Sequence, residues 1–397
     1  MTTDTSRPAA PVSAAPAMLC LALLWLGGNG LRLTILAVPP VIPLIHDDLR
    51  ISETQVGILS GLPAVLFALA AVPGSLLIAK FGAVRTLVIG LMATGIGSAL
   101  RGAAPDVALL FAATVVTGFG VAVMQPSMPP LVRAWLPDRI GFGTAVYTNG
   151  LLVGEVLPVA LTVPLVLPLV GGSWRADFVV WGLPCVAIAL VIAALAPKPP
   201  QSNPAAAPTR WWPNWGSGLI WRLGLMLGSV NATYFATNAF IPDYLHAEHL
   251  EHYVSPALIA LNLGQIPASI LLLLVAGRLE RRAWPYVACG ILSLAAIAAI
   301  AFGNGPLIVA GAALLGFAAS AVLVLMLALP PLLSAPGDVH RISAAMFTIS
   351  YSCAVATPVL SGYLWDKSAV PAMAFLPIGL CTLLLIGLAP ITAIRPH

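Results

Sequence analysis

Residues 18–45 read MLCLALLWLGGNGLRLTILAVPPVIPLI. One charge, Arg32, interrupts an apolar run long enough to cross a bilayer, whose hydrocarbon core takes about 20 helical residues. Eleven further runs of the same kind follow, near 54–79, 84–103, 107–132, 141–170, 175–196, 218–245, 254–277, 284–302, 306–334, 341–364 and 371–394. The composition agrees with them. Of 397 residues 59% are hydrophobic and 8% charged, against roughly a quarter charged in a soluble domain, which excludes a water-soluble fold. The 35 Gly and 36 Pro would break soluble helices but are frequent in membrane ones. A net charge of +4, carried by scattered Lys and Arg, leaves no footprint for nucleic acid.

The reading is therefore an all-α membrane protein of twelve transmembrane helices in two six-helix bundles. Residues 18–196 form the N-terminal bundle and 218–397 the C-terminal one, joined by a polar linker, 197–217, that contains KPPQSNPAAAPTRWWPNW. Two halves of equal span number suggest an internal repeat, as in many transporters. Residues 1–17 are polar and Pro-rich and lack the basic, apolar and cleavage regions of a signal peptide, so they read as a disordered cytoplasmic tail. Sidedness follows from the 18 Lys and Arg. With both termini in the cytoplasm, Arg50, Arg101, Arg175 and Lys367 lie outside, Arg32 lies in a span and the other thirteen lie inside. That asymmetry supports a multi-pass protein of the inner (plasma) membrane with both ends cytoplasmic. Trp211, Trp212 and Trp215 read as interfacial anchors.

Once loops are assigned, only Arg32 and Glu155 stand near the centre of a span. An Arg at a helix centre costs about 2.5–3.5 kcal/mol on insertion scales, so it must face a partner or a wet cavity. Mutual neutralisation is the simplest way to keep both ionised. A fixed structural pair is one reading. The other makes Arg32 a substrate-facing cation and Glu155 the proton-coupling group. In the second half the polar groups are neutral: Asn231, Tyr234 and Asn238 share one helix face, Asn262, Gln265 and Ser269 another, and Tyr351 lies in the eleventh span. Each amide could be mere helix adhesion. Two such stripes opposite an Arg and a Glu point to a polar cavity between the halves, with Asn231, Tyr234, Asn238 and Gln265 first among its residues. Prolines 39 and 40, 126, 129 and 130, and 330 and 331 mark expected interruptions of the first, fourth and tenth helices, the fourth beside Gln125.

Several patterns lead elsewhere. Asp243, His246, Glu248, His249, Glu251 and His252 could ligate a metal, but a short polar loop is the ordinary meaning of such a run. The five cysteines all fall in apolar runs without CxxC or CxxH spacing, which argues against disulfides and structural zinc. No phosphate-binding loop is present, and no nucleophile, base and orienter can be assembled, so the chain reads as a non-enzyme without metal or cofactor.

Over Met18 to Arg395 the chain resembles the major facilitator superfamily. LLIAKFGAVR after the second span is similar to the family's Gly-x-Leu-Ala-Asp-Arg-x-Gly signature, with Leu77, Lys80, Gly82 and Arg85 in place and Ala79 where its Asp stands. AGRLERR after the eighth span keeps Arg278 and a basic pair. Gly118-Phe119-Gly120 matches part of the next motif, with Thr114 in place of an Arg, and Gly150 and Gly154 have close-packing spacing. GGSWRADF, with Trp174 and Arg175, looks like the start of a sixth span. Within the superfamily, Asn29-Gly30-Leu31-Arg32 with VPPVIPLI, and Met124 to Pro129 running to Arg133, resemble the cyanate and nitroimidazole permease group. The resemblance implies a secondary transporter of a small anionic or polar substrate with Arg32 as the substrate-facing cation; alternating access is the expected mechanism, and Asn29, Gln125 and Tyr351 are further candidate substrate-binding residues. Protons are the expected coupling ion, the bilayer the expected surroundings and a monomer sufficient. An exporter of weakly polar drug-like compounds, or a membrane receptor that moves nothing, are the alternatives.

Overall fold

In lipid no water is present to satisfy a backbone, so an apolar run must close its hydrogen bonds within itself. The computed structural model describes residues 17–51, 53–197 and 210–390. The tail expected at 1–17, apart from Ala17, and most of the linker at 197–217 fall outside them. Among the described residues the chain forms twelve long helical segments and no strand. They are α1 (Ala17–Leu49), α2 (Glu53–Phe81), α3 (Ala83–Gly102), α4 (Val107–Trp135), α5 (Pro137–Leu169) and α6 (Trp174–Leu195). After the linker come α7 (Gly218–Ala247), α8 (Glu251–Leu279), α9 (Ala283–Phe302), α10 (Pro306–Leu333), α11 (Val339–Ser368) and α12 (Pro371–Leu388). Eleven are long and apolar enough to cross a membrane. The exception, α7, is 30 residues long but carries Asn231, Thr233, Asn238 and Arg222. Its polar load is what sets it apart. Large side chains such as Leu183, Leu190, Leu274 and Phe302 stand exposed on the outside of the assembly, where lipid tails cover them.

The packing repeats with a shift of six helices. In the first half α1 packs on α5, α2 on α4, α3 on α4 and on α6. In the second, α7 packs on α11, α8 on α10, α9 on α10 and on α12. Contacts between the halves obey the same rule, since α2 meets α11 and α5 meets α8. Small residues permit the tightest of these crossings. A Cβ at Gly154 of α5 would lie 2.5 Å from the Asn29 carbonyl oxygen of α1, so that crossing admits only glycine.

Four helices are broken. In α1 the helix stops at Gly30, resumes over Leu33–Leu36 and tightens into a 3-10 turn at Pro39–Val41. In α4 a 3-10 turn occupies Gln125–Ser127, and in α5 a wide turn occupies Thr162–Val166. In α8 the break is at Gly264, between Leu263 and Gln265. The expectation for α10 is corrected, because Pro306–Leu333 is one continuous helix. Pro330 and Pro331 lie in its last turn, where few intrahelical bonds remain to be lost.

Candidate functional site

Arg32 sits in the first break of α1, at a non-helical residue preceding Leu33–Leu36. The short segment is held from the side by Arg101 of α3, whose Nη2 donates to the Thr34 carbonyl at 2.7 Å. Arg101 is fully buried, stacked at 4.7 Å on the Phe178 ring, with the buried Asp177 of α6 nearby. It occupies the last turn of α3, where the neighbouring helices α1 and α6 cover it. The reading also missed Asp177, which lies one turn inside α6.

Three bonds fix the Arg32 guanidinium. Nε donates to Glu155 Oε1 of α5 at 3.0 Å, Nη2 donates to the Tyr351 hydroxyl of α11 at 2.8 Å, and Nη1 reaches the Leu31 carbonyl at 3.4 Å. Arg32 also lies 5.3 Å from the centre of the Phe67 ring, within cation–π range. Gln125, in the break of α4, donates its Nε2 to the same Tyr351 hydroxyl at 3.1 Å. Arg32 and Gln125 belong to the first half and Tyr351 to the second, so one phenol oxygen ties the halves together. Two charges removed from water are tolerable only when paired and hydrogen-bonded, and this arrangement does both.

A second cluster belongs to α7 and α8. Tyr234 donates its hydroxyl to Asn262 Oδ1 at 2.6 Å and accepts from Gln265 Nε2 at 3.0 Å, the two amides flanking the Gly264 break. Both clusters face one cavity of about 420 Å³, bounded by α1, α2, α5, α7 and α8. On α1 the wall runs from Arg32 to Leu36 and on α5 from Leu152 to Ala160. The walls between the two clusters are apolar, with Phe67, Val156, Val159, Phe235, Ile259 and Ile266 among them.

Of the residues singled out from sequence, Arg32, Glu155, Tyr234, Asn238, Asn262 and Gln265 line the cavity. Gln125 and Tyr351 stand behind Arg32, bonded to it directly or through the phenol. Two others are placed in helix packing instead. Asn29 donates to the Trp25 carbonyl at 3.0 Å against the α1 and α5 crossing, and Asn231 donates to Ser350 Oγ at 2.8 Å, joining α7 to α11. Phe67 and Asn149 went unnoticed. Phe67 carries no signal apart from its apolar neighbours, whereas Asn149, an amide in a span, could have been flagged. It accepts from Trp25 Nε1 at 3.0 Å and donates to Ser269 Oγ at 2.9 Å, bridging α1, α5 and α8.

The linker-side end of the seam is shut. Arg133, at the end of α4, donates from Nη1 to the Pro331 carbonyl at 2.6 Å and also to the Ser334 carbonyl. These are the terminal carbonyls of α10, whose dipole favours a cation there. Glu280, just past α8, is 6% exposed and packs on the start of α5 so closely that a Cβ at Gly141 would overlap its carboxylate. Burial pushes its pKa up to about 7 and the neighbouring Arg281 pulls it partly back.

The profile of the Major Facilitator Superfamily matches residues 18–358. An uncharacterized transporter of Bacillus subtilis (strain 168), YycB, is 25% identical over 342 residues, covering 85% of this chain and 84% of its own. The cyanate transport protein CynX of Escherichia coli (strain K12) is 25% identical over 267 residues, 66% of this chain and 68% of its own. Among solved structures, the human organic anion transporter MFSD10 (TETRAN) superposes with a TM-score of 0.74 over 94% of this chain and 100% of its own. At 15% identity that likeness speaks for the fold alone.

Proposed function

Because the chain belongs to the Major Facilitator Superfamily and is a multi-pass membrane transporter rather than an enzyme, we propose that it carries a small anionic or polar substrate across the inner membrane by alternating access, coupled to protons. One observation carries the reading. Arg32 and its acceptor Glu155 both stand on the cavity wall, where an anion can replace the carboxylate, while Tyr351 holds the guanidinium from behind. The resemblance to CynX, a cyanate transport protein, supports an anion as cargo.

The mechanism follows from the pairing. An incoming anion competes with Glu155 for the guanidinium, and a carboxylate that loses its cation in a buried site favours the protonated state. Binding of one anion then brings in one proton. Loss of the carboxylate partner also loosens the guanidinium's bond to Tyr351, which ties α11 to α1, and leaves Gln125 of α4 as the phenol's other partner. The bundles 18–196 and 218–397, joined by 197–217, rock about this midplane site. With both termini cytoplasmic, as the Lys and Arg distribution supports, the cavity opens outward and the seam at Arg133 and Glu280 is the cytoplasmic closure. A monomer suffices for the cycle.

The experiment uses proteoliposomes with an imposed pH gradient and two radiolabelled probes, acetate and benzoate. The parent accumulates at least one of them against its gradient, and Glu155→Gln retains counterflow but not accumulation. Undiminished accumulation by Glu155→Gln removes the coupling role, and counterflow of neither probe by the parent removes the carboxylate-anion reading.

A further inference from the structure

The function proposed above leaves open what, besides a charge, the substrate consists of, and the cavity walls bear on that. Its ionic equipment is confined to one end, where Arg32 and Glu155 face inward from α1 and α5. A second polar patch, Tyr234, Asn238, Asn262 and Gln265, stands on the other half. Between them the surface is hydrocarbon, and it includes one aromatic ring from each half, Phe67 on α2 and Phe235 on α7. Both rings are braced. Phe67 meets Tyr351 edge-on at 5.0 Å and Phe235 meets Tyr234 edge-on at 5.4 Å.

Helix packing extends this apolar surface. The whole of α8 packs on α10, but only its Gln265–Leu279 part also packs closely on α5, whereas Val254–Leu263 turns to α7. Beyond the Gly264 break the two helices therefore part, and Val159 and Ile259 are at once on the cavity wall and about half exposed, at 51% and 55%. Room for a hydrophobic body thus lies in the same cavity as the cation.

Resting on the reading that Arg32 takes an anion, we propose that the substrate is an organic anion with an apolar body about one ring in size and a second hydrogen-bonding substituent, of the class of a hydroxylated monocyclic carboxylate. A triatomic anion would fill a small part of about 420 Å³ and leave the rest as water against hydrocarbon. It would also have nothing but its charge with which to displace Glu155. A ring between Phe67 and Phe235 adds apolar contact, at about fourfold in affinity for each buried methylene equivalent. Its carboxylate takes Arg32, and a hydroxyl on its far edge reaches the amides of α7 and α8.

Calorimetric titration of the purified full chain in detergent tests this, with nitrate, cyanate and acetate as compact anions, benzoate and 4-hydroxybenzoate as ring anions, and benzamide as the neutral ring. The expected result is that the ring anions bind at least tenfold more tightly than acetate, that Val159→Ser with Ile259→Ser collapses this difference, and that Arg32→Ala abolishes carboxylate binding. Compact anions binding as tightly as benzoate overturn the inference while leaving the anion reading intact. Binding of benzamide as tight as benzoate and unaffected by Arg32→Ala, or binding of no anion at all, overturns the anion reading and the inference with it.

Discussion

Replacing Tyr351 by Phe removes one oxygen and little else. The ring keeps its edge-on contact with Phe67 at 5.0 Å and its stacking on Phe347 at 6.3 Å. What disappears is the acceptor shared by Arg32 Nη2 at 2.8 Å and Gln125 Nε2 at 3.1 Å, both bonds running between the halves. A hydrogen bond to a charged group contributes about 1.5–3 kcal/mol and a neutral one about 0.5–1.5 kcal/mol. If both exist only in the arrangement seen here, Tyr351→Phe costs that arrangement about 2–4.5 kcal/mol, roughly 30- to 2,000-fold in its equilibrium with the alternative. Spin labels at Phe81 and Trp284, exposed positions at the linker end of the two halves, read the shift by pulsed dipolar spectroscopy in a chain whose five cysteines are replaced. The distance distribution moves to longer values in the variant. A distribution that superimposes on the parent, while Arg133→Ala in the same chain lengthens it, refutes Tyr351 as the tie between bundles.

Three further outcomes follow from the shut end of the seam. Arg133→Ala removes the donor to the Pro331 and Ser334 carbonyls and lengthens the same label distance, whereas Arg133→Lys, able to bond one carbonyl at a time, gives an intermediate shift. Gly141→Ala places a methyl against the Glu280 carboxylate and 2.9 Å from the Gly277 Cα, an overlap of a kind that costs about 1–3 kcal/mol, so it opens the linker end, and Glu280→Ala in the same chain recovers part of the closure. The pKa of Glu280 is raised by burial to about 7 from its ordinary 4.5, with Arg281 lowering it and the Tyr286 hydroxyl bonded to its backbone carbonyl. Closure therefore favours the protonated form, in full below pH 4.5, and loses that contribution as pH rises through 7. The label distance lengthens between pH 6 and pH 8, and Glu280→Gln flattens the dependence.

Hydropathy made the helices legible because lipid leaves a long apolar run few other conformations, and α7 tested that limit, since polar residues spread around it, Arg222, Asn231, Thr233 and Asn238, draw down the very signal that reveals a span. Arg32 and Glu155 could be matched because isolated charges in separate spans have strong reason to meet, and they stand 3.0 Å apart. Rotation about a helix axis is where the sequence fell short. Asn29 and Asn231 look no different from Asn238 along the chain, yet a turn of the helix sends them to Trp25 and Ser350 rather than to the cavity. Proline signalled the interruptions of α1 and α4. The break of α8 carried the same marker unread, since Pro267 has no N–H to give the Leu263 carbonyl, while the close approach of the Ala313 carbonyl of α10 to Gly264 is a tertiary contact invisible in one dimension. The burial of Arg101 was equally hidden, since whether the last turn of a helix faces solvent or the interior depends on what its neighbours cover.

Proton uptake on anion binding tests the central claim most directly. In weakly buffered detergent solution, the anion that binds most tightly in the series above is added to the parent and to Glu155→Gln, and the change in pH is converted to protons per protein. The account predicts an uptake approaching one proton in the parent, as Glu155 loses Arg32, and none in the variant although it still binds. Tight binding to the parent without proton uptake would contradict it, and would leave Arg32 and Glu155 a pair that holds two helices together.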